Sequence, residues 1–193
     1  SVFAEDLSDF QIEGISIGDS LLDYKTEDEI LKEIERTKDW YLHLKEPNKY
    51  ASVYLVGEFL NYDYLGFMIK NNSSNTYVTN KNEKYTILSH RGLIRYIEDF
   101  DSCIAKRDEI VSELSKMFPN ADKWSSGVFE HSVDPSGDSI IDAVYFEFDS
   151  GAMTEVSCTD YEETFRIKNN WSEGLDITIS YAETSFWLQN ENE

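Results

Sequence analysis

"IIDAVYFEFDSGAMTEVSCTDY", residues 140–161, decides the fold. Two runs rich in β-branched and aromatic residues flank Asp149-Ser150-Gly151, a three-residue turn with glycine suited to the left-handed position. Val144, Phe146 and Phe148 share one face of the first run; Thr154, Val156 and Cys158 form the inward face of the second. The stretch therefore reads as an antiparallel hairpin, and "GLDITIS" (174–180) alternates as a last strand beyond it.

Upstream of the hairpin, "DFDSCIAKRDEIVSELSKMFPNADKW" (99–124) is the clearest helix. Ile104, Arg107, Ile110, Val111, Leu114, Met117 and Phe118 recur at spacings of three and four, Asp101 or Ser102 is the expected cap, and Pro119 ends the run. Between helix and hairpin, "SSGVFEHSVDPSGDS" reads as a loop, with one short strand left open within it. Before the helix come "YASVYLVGEFL", "YLGFMIK", "TYVTN" and "KYTILSHRGLIRYI", separated by turn chemistry, so an antiparallel meander is expected, with Gly92 marking a bulge or bend. "SDFQIEGISI" (8–17) reads as a short strand. Thr26 and Glu29 form a capping box opening a helix that Pro47 closes. "ETSFWLQNENE" reads as a terminal helical turn or tail. Strands grouped beside two main helices mean α+β: a single antiparallel sheet of about six strands, meander plus C-terminal hairpin, with both helices packed on one face. One domain over 5–193 is expected.

Composition narrows the function. The chain has 193 residues and 38 acidic against 17 basic side chains, a formal net charge of −21. That surface repels nucleic acid and anionic membranes, so neither is an expected partner, whereas a cationic partner fits. No apolar run reaches the length of a membrane span. Val2-Phe3-Ala4 resembles the end of a secretory signal peptide, making residues 1–4 a possible remnant. Cys103 and Cys158 lack the C-x-x-C spacing of zinc or thioredoxin-like sites; in an exported chain one disulfide is their natural use. Cys103 opens the long helix and Cys158 ends a strand, so a helix crossing the sheet brings them together.

Gly18-Asp19-Ser20-Leu21 spells the signature of GDSL esterases. A serine nucleophile needs a histidine to take its proton, and that family supplies it from Asp-x-x-His. None of His43, His90 and His131 has an aspartate three residues before it, and Asp19-Ser20 ahead of "LLDY" is what a helix cap looks like. Ser20 is therefore expected to cap, with a serine esterase as the disfavoured alternative. Asp134, Asp138 and Asp142 are spaced by four, yet the EF-hand positions for glycine and glutamate hold Ser139 and Tyr145. That loop is first a turn, leaving open whether Asp134–Asp142 binds a cation. No phosphate-binding glycine pattern occurs. No catalytic, cofactor or metal residues are assigned.

"FQIEGISIGDSLLDY" followed by "TEDEI", then "CIAKRDEIVSELSKMFP", then "CTDY" with "LDITISYAETSFWLQNE", resemble a family of small uncharacterised exported (periplasmic) proteins of marine bacteria. The resemblance spans most of the chain, matches Cys103 and Cys158 to the family's two cysteines, and implies export but no activity. The expectation is thus a periplasmic or secreted, non-enzymatic module that binds an unknown protein or small ligand. A carbohydrate-binding domain, suggested by four Trp and twelve Tyr, is a second alternative.

Overall fold

The hairpin forms as expected. Strands β5 (Ile140–Glu147) and β6 (Met153–Asp160) pair antiparallel, and Gly151 takes φ +79° in the turn. In this computed structural model, which describes residues 7, 10–40, 49–57, 59–71 and 83–184, the hairpin belongs to one seven-stranded sheet. The other strands are β1 (Tyr50–Val56), β2 (Tyr64–Lys70), β3 (Ile87–Arg95), β4 (Asp122–Glu130) and β7 (Gly174–Ser180). Their spatial order is β1-β2-β3-β7-β6-β5-β4, and every neighbouring pair is antiparallel. Two meanders, β1-β2-β3 and β4-β5-β6, are joined by β7, which enters between β3 and β6. Gly174 opens β7 at φ +134°, where an added Cβ would lie 2.3 Å from the Ile94 carbonyl oxygen. Only glycine fits so close a backbone approach.

Helix α1 (Glu27–Thr37) is opened by the expected capping box: Thr26 Oγ1 accepts from the Glu29 amide, and Glu29 accepts from the Thr26 amide. Helix α2 (Phe100–Met117) is capped by Asp99, which accepts from the Ser102 amide, rather than by Asp101 or Ser102. A third helix, α3 (Glu163–Asn169), has no counterpart in the sequence reading.

α2 crosses the sheet at β6 and β7. Cys103 and Arg107, one turn apart, both face it. Cys103 is bonded to Cys158 with the Cα atoms 5.9 Å apart, and Arg107 pairs at 2.8 Å with Asp142, the cross-strand neighbour of Cys158. Arg107 thus has a charged partner within an apolar stripe. Around this seam Leu114, Phe118, Phe146, Val156, Leu175 and Ile177 are buried together. At the other end Ile30 of α1 joins the same core with Val53 and Phe67.

Three expectations change. The described part of "SDFQIEGISI", residues 10–17, forms no strand: Glu13 and Gly14 take positive φ, so the chain doubles back and Ile12 bridges Ile15. This segment still buries Ile12, Ile15 and Ile17 in the core, and Gly18 and Asp19 exchange backbone bonds with Ile87. Gly92 makes no bulge; an added Cβ there would meet the Tyr62 ring at 2.6 Å, and the register shift falls instead between Met68 and Ile69. Third, the loop read at 125–139 begins with the last six residues of β4, a nine-residue strand. "TYVTN", residues 1–4, the end of the first helix region at Pro47, and the C-terminal tail from 185 lie outside the described residues. No described helix is long and apolar enough to cross a membrane.

Candidate interaction surface

The sites flagged in the sequence resolve into structural roles. Ser20 is 3% exposed; its hydroxyl donates to the Lys84 carbonyl at 2.7 Å and accepts from the Leu22 amide at 3.3 Å. It caps a single 3-10 turn, Leu21–Asp23, and both bonds go to backbone. A shallow depression beside this turn is lined by Leu22, Asp23, Tyr24, Lys25, Thr26 and Glu29, not by Ser20. His90 is fully buried in the core, stacked on Phe67 at 4.5 Å, and burial pushes its pKa down to about 4. His131 Nδ1 accepts from the Val133 amide, and its ring packs on Tyr161. His43 lies outside the described residues.

The acidic loop is equally local. The Asp134 carboxylate accepts from the hydroxyls and amides of both Ser136 and Ser139, while Asp138 is exposed and Asp142 pairs with Arg107. Among the described residues no group of three or more His, Cys, Asp or Glu side chains is placed to hold a metal ion.

A different surface gathers the unusual side chains. On the sheet face turned away from α2, the register aligns one residue from each strand: Tyr54, Gly66, Arg91, Thr178, Glu155, Tyr145 and Trp124. At one end the Tyr54 ring lies over Gly66, where an added Cβ would come within 3.1 Å of it. Trp40 packs on Tyr54 with ring centres 5.5 Å apart, Tyr64 meets Tyr54 edge-on, and Arg36 sits 4.5 Å from the Trp40 ring centre. In the middle Arg91 grips Asp176 through two nitrogens, Nη2 donating to Oδ2 at 2.7 Å, and lies over the Tyr64 ring. Burial opposes the Arg91 charge, and Asp176 more than compensates, holding the guanidinium firmly protonated.

Beyond this pair Glu155 is half-buried. Desolvation raises its pKa, and the Asp176 charge adds to the rise against Ser157 and Arg91. Tyr145, directly opposite, is pushed up to about 12 by burial and by Glu155. Trp124 stacks on Tyr145 at 4.1 Å and 21°, and its Nε1 donates to Glu147 at 2.8 Å. The two rings cover one another and present one indole face; Trp124 remains 46% exposed.

None of this was singled out in the sequence. Arg91 and Asp176 are 85 residues apart, and only sheet register joins them. The one local signal, a tryptophan among turn-forming residues in "DKWSSG", is also what a solvated loop can carry. No family model matches the chain, and neither a curated protein nor a solved structure does.

Proposed function

We propose that this chain is an exported, non-enzymatic interaction module that binds its partner on the face turned away from α2, at the Trp124 end. The observation carrying this reading is the cross-sheet row itself. It holds a half-exposed indole fixed by Tyr145 and Glu147 and, on the far side of Tyr145, a partly desolvated carboxylate, Glu155, whose charge is further opposed by Asp176. Such groups favour recognition over stability, since a surface chosen for stability alone has no use for a desolvated acid beside another acid. Export is supported by the buried Cys103–Cys158 bond, which persists in oxidising compartments, and by the exported family the sequence resembles. The esterase reading has less support, because both hydrogen bonds of Ser20 go to backbone, one from the Leu22 amide of the turn and one to the distant Lys84 carbonyl. The half-exposed Trp124 keeps a carbohydrate in view as a second reading.

Tryptophan emission tests this directly. The protein is titrated with a lysine-rich peptide and with a neutral hexasaccharide, and p-nitrophenyl butyrate hydrolysis is measured in parallel. A saturable change with one ligand, lost in Trp124→Ala, and no turnover are expected. Ester turnover lost in Ser20→Ala, or the absence of saturable binding to either ligand, would overturn the reading.

A further inference from the structure

We infer that the edge of β4, bare among the described residues, receives an extended, basic segment of a partner protein as an eighth strand; this rests on the interaction-module reading and specifies how the partner is held. The sheet ends at β4, and its exposure is continuous: eight of its nine residues are exposed and the ninth, Ser126, is half-buried. Ala143 of β5 turns both backbone groups toward β4, its N–H donating to Ser126 Oγ and its carbonyl accepting from it. Antiparallel alternation then has Tyr145 and Glu147 also facing β4, with Trp124 and Asp122 facing them. The N–H and C=O groups of Lys123 and Ser125 consequently point away from the sheet, in the arrangement that accepts an added strand.

The side chains define the occupant. Trp124 and Phe129 stand 46% and 45% exposed on the outer face, and Val128 58% exposed on the other, an apolar lining on both sides of the edge. Asp122 and Glu130 close its two ends, and Glu147 lies across from Asp122. The sole cation on the strand, Lys123, donates to Ser115 Oγ. With a formal charge of −21 around it, the edge attracts a segment rich in Lys or Arg and repels an acidic one.

A second copy of this chain fits poorly. Antiparallel self-pairing centred on Ser126 sets Asp122 opposite Glu130, so like charges face each other at both ends, and each copy adds the same net charge. The bulge between Ser125 and Gly127 acts in the same sense. It twists the strand and divides the edge into two short runs, which suits one short segment better than open-ended stacking.

The test uses the full chain and an acetylated, amidated nine-residue peptide of alternating Lys and Val, with a Glu/Val peptide as control. Trp emission follows binding, and sedimentation follows oligomeric state. The Lys/Val peptide is expected to bind and the Glu/Val peptide not to. Lys123→Pro removes an outward N–H without touching the β5 ladder, and should weaken binding at least tenfold with an unchanged Tm. Val128→Lys places a cation on the edge and should weaken it comparably, which keeps the test decisive if the proline variant fails to fold. If the peptide binds with undiminished affinity to both variants yet loses it in Glu155→Gln, the face binds and the strand-addition mode is wrong. Binding of the Glu/Val peptide with equal affinity, or a wild-type dimer dispersed by Val128→Lys, would also overturn the inference.

Discussion

The two edges of this sheet are built in opposite ways. Along β1 the chain lays helix α1: Thr37 Oγ1 donates to the Ser52 carbonyl at 2.6 Å, and the Tyr54 amide donates to Glu33 at 3.3 Å. Two outward backbone groups thereby gain side-chain partners, Thr37 is fully buried, and Trp40 folds over Tyr54. Along β4 no helix is laid among the described residues; the strand's own Ser125 and Ser126 hydroxyls serve Gly127 at the bulge, and two terminal acids and solvent are the rest of what the strand has. A closed edge cannot take another strand and an open one can. The difference fits β1 to stability and, under the proposal above, β4 to recognition.

The strongest challenge to that division removes the scaffold between the edges. Replacing Cys103 and Cys158 by Ala opens a 55-residue loop, for which the chain-entropy estimate is about 4 kcal/mol. Denaturant titration should show a loss approaching that figure, and the β4 edge should stay as exposed as before. If the double variant matches the wild type in stability, α2 is held by its apolar contacts alone.

Acid should separate the two halves next. Buried neutral His90 sits in β3, and its folded pKa of about 4 lies below the unfolded value of ~6.5. Between these values the unfolded chain binds more protons, so the stability His90 provides is complete above pH ~6.5 and falls as pH drops toward 4. The buried shift corresponds to roughly 3 kcal/mol. Lower still, Glu33 adds to the loss. Hydrogen bonds from Arg36 and the Tyr54 amide hold its carboxyl below the ordinary range, and protonation releases the β1 cap. Thermal melts across pH 7 to 4 should fall steeply, and His90→Phe should flatten the upper part of the curve. An unaltered slope in that variant would remove His90 from the account.

Single edge substitutions give the smallest and most direct contrast. Thr37→Val leaves the Ser52 carbonyl without its side-chain donor and should cost about 1–3 kcal/mol. Val128→Ala on exposed β4 should cost about 0.5 kcal/mol or less, as solvated positions do. Equal costs measured by denaturant titration would mean that both edges are structural.

This asymmetry also explains what could be read from the sequence. The hairpin, the capping box, the long helix and the disulfide were legible because each has a local cause: Gly151 in its turn, Glu29 three residues after Thr26, an apolar stripe at helical spacing, two cysteines at element ends. β4 was not. A strand exposed on both faces needs no alternation, and Ser125-Ser126-Gly127 serves a bulge with the same letters that make a loop. "SDFQIEGISI" failed in the opposite direction: its isoleucines are as buried as a strand's, while positive φ at Glu13 and Gly14 turns the backbone out of any ladder. α3 is seven residues long, set by Glu162 accepting from the Thr164 and Phe165 amides and by left-handed Asn170, signals too short for periodicity to detect. The candidate surface was least legible, because Arg91 with Asp176 and Trp124 with Tyr145 are partners only through sheet register.

Residue-resolved amide exchange in the unliganded protein tests the central claim most directly. The Tyr54 amide, bonded to Glu33 at the closed edge, should exchange slowly, near the rate set by global unfolding. The Lys123 and Ser125 amides should exchange orders of magnitude faster than the intervening Trp124 amide, which faces β5. Protection of Lys123 and Ser125 equal to that of Tyr54 would show that the β4 edge is already covered, and the assignment of recognition to it would be wrong.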